Sequence, residues 1–97
     1  MPKVETEYNY YTSSQKIHQN RCYLYGALVT PMEDERSHID IYDGTNTTEN
    51  KAMRIRAATE ETKFIYFDKP ILMQRGIYVD MNDKTDSYVI FWEPIED

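Results

Sequence analysis

Between Ile39 and Thr45 the chain reads Ile-Asp-Ile-Tyr-Asp-Gly-Thr. Ile39 and Ile41 alternate with Asp40, and alternation at period two belongs to a β-strand with one buried face. Asp43-Gly44 follows with residues suited to a tight turn, and Gly44 is expected to take the positive φ that such turns require. The same grammar returns at Gly76-Ile77-Tyr78-Val79-Asp80-Met81 and at Ser87-Tyr88-Val89-Ile90-Phe91-Trp92. Strands of this kind bury their apolar faces by stacking as sheets.

Reading outward from these three segments gives seven or eight short strands. Arg21 to Thr30 carries Cys22, Leu24 and Leu28 and is expected to be a central strand, with a bulge at Gly26 and an end at Pro31. Further strands are expected at 38–43, 51–58, 62–67, 77–81 and 87–93, with a short apolar segment at 70–73. Thr12 to Gln15 and residues 45–50 read as loops, and residues 32–37 as a loop or one helical turn. The interval 49–61 has no 3.6-residue apolar stripe, which disfavours a helix there. The last two strands are separated by about five polar residues, so an antiparallel hairpin is expected. Turn signals every eight to twelve residues mark an all-β domain, expected to be a small antiparallel β-sandwich with a jelly-roll-like winding. Residues 1–14 are expected to form an extended N-terminal arm or a first edge strand, and 15–97 the sandwich.

A length of 97 residues fits a single domain. The net charge of −6 argues against nucleic-acid binding, which needs a basic face, and against docking on anionic lipid. No apolar run approaches the ~20 residues of a membrane-spanning helix, and no apolar signal follows Met1-Pro2-Lys3. Cys22 is the single cysteine, which excludes an intrachain disulfide and a cysteine-built zinc site and suggests synthesis in a reducing compartment.

Several groups of residues invite a chemical reading. His38 and Asp40 share a strand face near Asp43, but a transition-metal site needs three or four convergent ligands. Asp80 to Asp86 begins like a calcium loop. It then has Lys84 at the fifth position, no glycine at the sixth and no glutamate at the twelfth, so a turn is expected. Glu33-Asp34-Glu35 and Glu60-Glu61 lie in expected loops, where solvated carboxylates are ordinary. Cys22 paired with His18 or His38 would make a nucleophile, yet it sits in an apolar strand, the setting of a small core residue. Asn46-Thr47-Thr48 matches a glycosylation sequon in an exposed loop. No catalytic residue, metal or cofactor is assigned.

Nine tyrosines are the strongest compositional signal. A tyrosine joins an apolar ring to a polar tip, which suits half-exposed strands and protein interfaces. Tyr8, Tyr10 and Tyr11 belong either to an edge strand or to an arm that docks on a neighbouring subunit. Trp92, near the chain's end, is expected in the core or in a subunit interface. These four are the candidate partner-interface residues.

From Tyr23 to Glu93 the chain resembles small structural proteins of tailed bacteriophages. The resemblance rests on Ile41-Tyr42-Asp43-Gly44-Thr45, on Phe67-Asp68-Lys69-Pro70-Ile71, on Gly76-Ile77-Tyr78-Val79 and on Tyr88-Val89-Ile90-Phe91, in that order. Such proteins are β-sandwich or jelly-roll modules of virions, associated with capsid decoration or with head and tail accessory positions. The resemblance implies a non-enzymatic virion protein made in the host cytoplasm. It also implies docking on the major capsid protein or other virion proteins, as a homo-oligomer with a trimer favoured. The alternative is a tail or head-fibre accessory module that binds a receptor or glycan. The tyrosine-rich N-terminus and the acidic 32–37 loop depart from the pattern.

Overall fold

The computed structural model describes residues 7–33, 35–48, 50–59 and 61–95, with the backbone alone at 7–9. Eight strands follow one another: β1 (Glu7–Tyr11), β2 (Gln15–His18), β3 (Cys22–Pro31), β4 (Ser37–Asp43), β5 (Asn50–Ala57), β6 (Lys63–Met73), β7 (Ile77–Met81) and β8 (Thr85–Pro94). They build two antiparallel four-stranded sheets, sheet A in the order β1-β8-β3-β6 and sheet B in the order β2-β7-β4-β5.

The pairing has a simple logic. β1 pairs with β8, β2 with β7, β3 with β6 and β4 with β5. The chain is therefore one long hairpin folded back at Gly44–Thr48. Pairings of β3 with β8 and of β4 with β7 then complete each sheet. Only the β4–β5 connection stays within a sheet; every other connection crosses from one layer to the other.

That crossing overturns the expected hairpin of the last two strands, since β7 lies in sheet B and β8 in sheet A. Their apolar faces explain it. Ile77 and Val79 meet Tyr88, Ile90 and Trp92 across the core, whereas a hairpin would set them side by side. Three residues, 82–84, are long enough to bridge sheets ~10 Å apart at ~3.5 Å per residue. The bridge is secured by Asn82, whose N–H donates to the His38 carbonyl (3.2 Å), and by Lys84, whose carbonyl accepts from the Met32 N–H (2.9 Å).

Three other expectations change. Gly44 does not hold the left-handed backbone; Gly76 does, with φ 128°. Gln15, expected at the end of a loop, opens a strand that runs on through residues 16–18, to which no element was assigned; this short edge strand has one apolar residue, Ile17, which leaves almost no periodic signal. The segments at 62–67 and 70–73 are one strand, β6, which continues through Pro70 because it is an edge with no outer neighbour to lose a hydrogen bond. Between Leu24 and Gly26, β3 carries one extra residue against β8, and its register also shifts against β6, where residues 67–70 of β6 are left without a partner on β3. A Cβ at Gly26 would stand 2.3 Å from the Ile65 carbonyl oxygen, so glycine is required for this approach.

The core lies between the layers. Ile39, Ile41, Ile55, Ile77 and Val79 from sheet B meet Cys22, Leu24, Val29, Tyr88, Ile90 and Trp92 from sheet A. Ile39 and Ile41 are fully buried, as the alternation at 39–42 requires.

Candidate functional site: an exposed aromatic face on sheet A

The two sheets differ sharply on their outer faces. On sheet B the outward residues find partners on their own sheet. Asp40, expected at the solvent face, is buried beneath β5. It accepts from Arg54 Nε (2.6 Å) and Nη2 (3.0 Å), and Lys51 Nζ stands 3.3 Å away. The Arg54 hydrogen bonds hold its carboxyl below the usual range against the opposing effect of burial, and Lys51 adds to this. Lys51 also sits over the Tyr42 ring, 5.7 Å from its centre, and Tyr42 meets Tyr78 edge to face at 6.4 Å.

Sheet A presents an apolar outer face instead. Its register aligns Tyr10, Val89, Leu28 and Phe64 straight across all four strands. The next outward rank has Phe91 on β8 and Tyr66 on β6, both opposite Gly26 of the β3 bulge. Tyr25, beside that bulge, stacks on Tyr66 at 6.5 Å. Phe64 stacks on Tyr66 at 6.2 Å and meets Phe91 edge to face at 5.8 Å. Tyr10, Phe64 and Tyr66 are 65%, 55% and 58% exposed. A one-sided antiparallel sheet ordinarily turns polar residues to water. A contiguous aromatic patch in that position marks an interaction surface. Polar groups rim it: the Tyr25 hydroxyl donates to Glu93 Oε2 at 3.3 Å, and burial together with that carboxylate raises the phenol's pKa.

The four expected interface residues divide between the faces. Tyr10 stands on the exposed rank. Tyr11 is turned inward and stacks on the buried Tyr88 at 5.3 Å. Period two forces this, because adjacent residues of a strand cannot share a face. Trp92 is buried in the core beneath His18, whose ring centre is 4.6 Å away, and burial lowers the His18 pKa. Tyr8 pairs through its backbone with Phe91, and its side chain lies outside the described residues. Tyr25, Phe64, Tyr66 and Phe91 complete the face and escaped the sequence reading. Their signal was the unbroken run Phe64-Ile65-Tyr66-Phe67, a strand with two apolar faces where a sandwich edge needs one.

The other candidate groups are engaged structurally. Asp43 Oδ1 accepts from the Arg75 N–H at 2.8 Å, tying the hairpin tip to the β6–β7 turn. Asp80 accepts from the Ser14 hydroxyl at 3.1 Å. Asn82 Oδ1 accepts from the Thr85 hydroxyl (2.6 Å) and the His38 N–H (3.3 Å), which makes 82–85 a braced turn. Glu35 pairs with Lys84 at 3.6 Å; Asp34 and Glu60 lie outside the described residues. The Cys22 thiol is fully buried, and burial, helped by Asp43, pushes its pKa up to about 12, so it stays protonated. The Asn46 carboxamide accepts from the Thr48 N–H and hydroxyl in the exposed tip. Among the described residues no three His, Cys, Asp or Glu side chains are grouped to hold a metal ion, and no helix is long and apolar enough to cross a membrane.

Comparison with protein-family models, with curated proteins and with solved structures finds no match.

Proposed function

We propose that this chain is a non-enzymatic structural protein of a phage virion, most simply a capsid decoration protein, which docks through the outer face of sheet A. The observation that carries the reading is the double rank of aromatic side chains on that face, Tyr10 and Phe64 in one, Phe91, Tyr66 and Tyr25 in the other. Exposed aromatic residues at the centre of a patch are the usual anchors of a protein interface. The winding adds support. The strand orders β1-β8-β3-β6 and β2-β7-β4-β5, with a sheet change at nearly every connection, agree with a jelly roll, an architecture shared by viral capsid and lectin domains. The partner is the major capsid protein or another virion protein, with further copies of the chain in a homo-oligomer, a trimer being favoured. Nucleic acid and membrane are not proposed as partners, and the location is the virion.

The test pairs a virion inventory with a binding measurement. Mass spectrometry of purified particles should find the chain in stoichiometric amount. Its purified form should bind empty capsids saturably, while a Phe64→Ser/Tyr66→Ser variant folds normally and does not bind. Absence from mature particles refutes the reading.

A second reading, a tail or head-fibre module that binds a receptor or glycan, is favoured by the same rings, since Tyr10 and Tyr66 are more than half exposed and aromatic rings at a surface stack on sugars. Glycan-array binding that disappears in the Phe64→Ser/Tyr66→Ser variant, with no binding to capsids, would select it.

A further inference from the structure

β6 is the longest strand of the molecule and stands at the edge of sheet A, with β3 on one side and no strand among the described residues on the other. Edge strands are ordinarily kept short or studded with charge, because a row of unpaired N–H and C=O groups invites another strand. The other three edges obey this. β1 has five residues and β2 four, and β5 carries Lys51, Arg54 and Arg56. β6 confines its charges to Lys63 at its start and to Asp68-Lys69 ahead of Pro70, and between them runs Phe64-Ile65-Tyr66-Phe67. Phe64 and Tyr66 are more than half exposed on the outer face. Ile65 and Phe67 lie against the core but are only partly buried.

We infer that β6 pairs antiparallel with β6 of a second copy of the chain, about a twofold axis at Ile65. Opposed side chains of paired strands share a face, so a symmetric pairing must be centred on a residue and not between two. The residues then select the centre. Centred on Tyr66, Lys63 would oppose the partner's Lys69, and Phe64 the partner's Asp68. Centred on Phe64, Glu61 would oppose the partner's Phe67, and Lys63 the partner's Ile65. Centred on Ile65, Phe64 opposes the partner's Tyr66, and the axis repeats that pair, which gives two aromatic cross-strand pairs. The same centring sets Glu61, two residues ahead of the strand, against the partner's Lys69; both are exposed, and their charges are opposite. Thr62 then opposes the partner's Asp68, a hydroxyl donor against a carboxylate. Pro70, which has no N–H to donate, lies just past the paired stretch 61–69. Two copies of sheet A become one sheet of eight strands, and their aromatic faces join on its outer side.

This contact goes beyond the docking reading, which names no surface between copies. A twofold pairing stands against the trimer favoured there. It is measured on the free chain, so its failure leaves the test of capsid binding untouched.

The test is sedimentation equilibrium of the full chain over a wide range of concentration. The expected result is a reversible equilibrium between monomer and dimer, rising to twice the chain mass of 11.6 kDa. Glu61→Lys and Lys69→Glu should each weaken the dimer by about tenfold, because each sets like charges against one another at two places. Exchanging one charge for its opposite moves the net charge of −6 by two, to −4 in the first variant and −8 in the second. A general effect of charge would therefore drive the two variants in opposite directions. Glu61→Lys/Lys69→Glu keeps the net charge and restores the pairs, so its dimer should return to within about twofold of wild type. A chain that stays monomeric at every concentration, a trimer, or a dimer indifferent to both single variants overturns the inference. So does a double variant that associates no more tightly than the single ones.

Discussion

Gly76→Ala tests the backbone argument most directly. Gly76 closes the β6–β7 turn with φ 128°, a conformation in which a side chain is strained by about 1–3 kcal/mol. A Cβ there would also stand 2.3 Å from the His18 carbonyl oxygen and 3.1 Å from the Gln19 Cα. Both neighbours are backbone at the end of β2, so relief requires that strand to move. β2 is short, already shifts register between Lys16 and His18, and pairs only with β7. Strain and displacement together should cost about 2–4 kcal/mol, a large share of the 5–15 kcal/mol typical of a domain. For a chain of this size that lowers Tm by roughly 10–20 °C. Urea unfolding followed by the fluorescence of Trp92, the single tryptophan and a buried one, measures the loss. Gly26→Ala is the control. Its Cβ would meet the Ile65 carbonyl oxygen at the same 2.3 Å, but without a left-handed φ and against the edge strand β6. It should cost less, about 1–2 kcal/mol. A Gly76→Ala chain within about 1 kcal/mol of wild type refutes the reasoning, and equal losses at both positions refute the part assigned to φ.

Four further outcomes are expected. Phe64→Ser and Tyr66→Ser, at exposed positions, should change unfolding free energy by no more than about 0.5 kcal/mol, so any loss of partner binding is a surface effect. Asp40→Asn should destabilise at neutral pH, because the carboxyl's depressed pKa stabilises the folded state above the ordinary carboxylate range. That stability is lost as pH falls through the folded pKa, so the gap between variant and wild type should close in acid; a gap constant with pH refutes it. Cys22 should resist a thiol reagent at pH 8 while folded and react once per chain in denaturant; rapid native labelling would show an open thiol. Tyr88→Phe removes the hydroxyl that donates to the Ser13 carbonyl at 2.8 Å and should cost about 1 kcal/mol in denaturant titration, whereas no loss would show that the bond does not brace the β1–β2 corner.

Much of the strand inventory was legible because alternation is a local property. Ile39 and Ile41 announce β4, and Tyr88, Ile90 and Trp92 announce β8, with no knowledge of their partners. β2 was not legible, since one apolar residue in four carries no period. Asp40 read as solvated because a carboxylate on an outward position usually is. Its burial depends on Arg54 and Lys51 arriving from the neighbouring strand. The aromatic face was half visible: the tyrosines at 8–11 drew attention, but only the pleat could divide Tyr10 from Tyr11.

By itself, then, the sequence determined an acidic, all-β chain of short strands, with Gly26 at a bulge and a turn after Asp43. It could not determine which strand lies beside which. Strand pairing joins residues as distant as Tyr10 and Val89, and local pattern holds no information on such pairs. Tertiary structure decided that β7 and β8 face each other across the core instead of pairing. It decided that the left-handed glycine is Gly76, where the chain turns against β2. It also decided that Phe64, Tyr66 and Phe91 gather beside Tyr10. Two apolar faces on one strand are visible in sequence, but which of them is left open to solvent depends on where the second sheet packs.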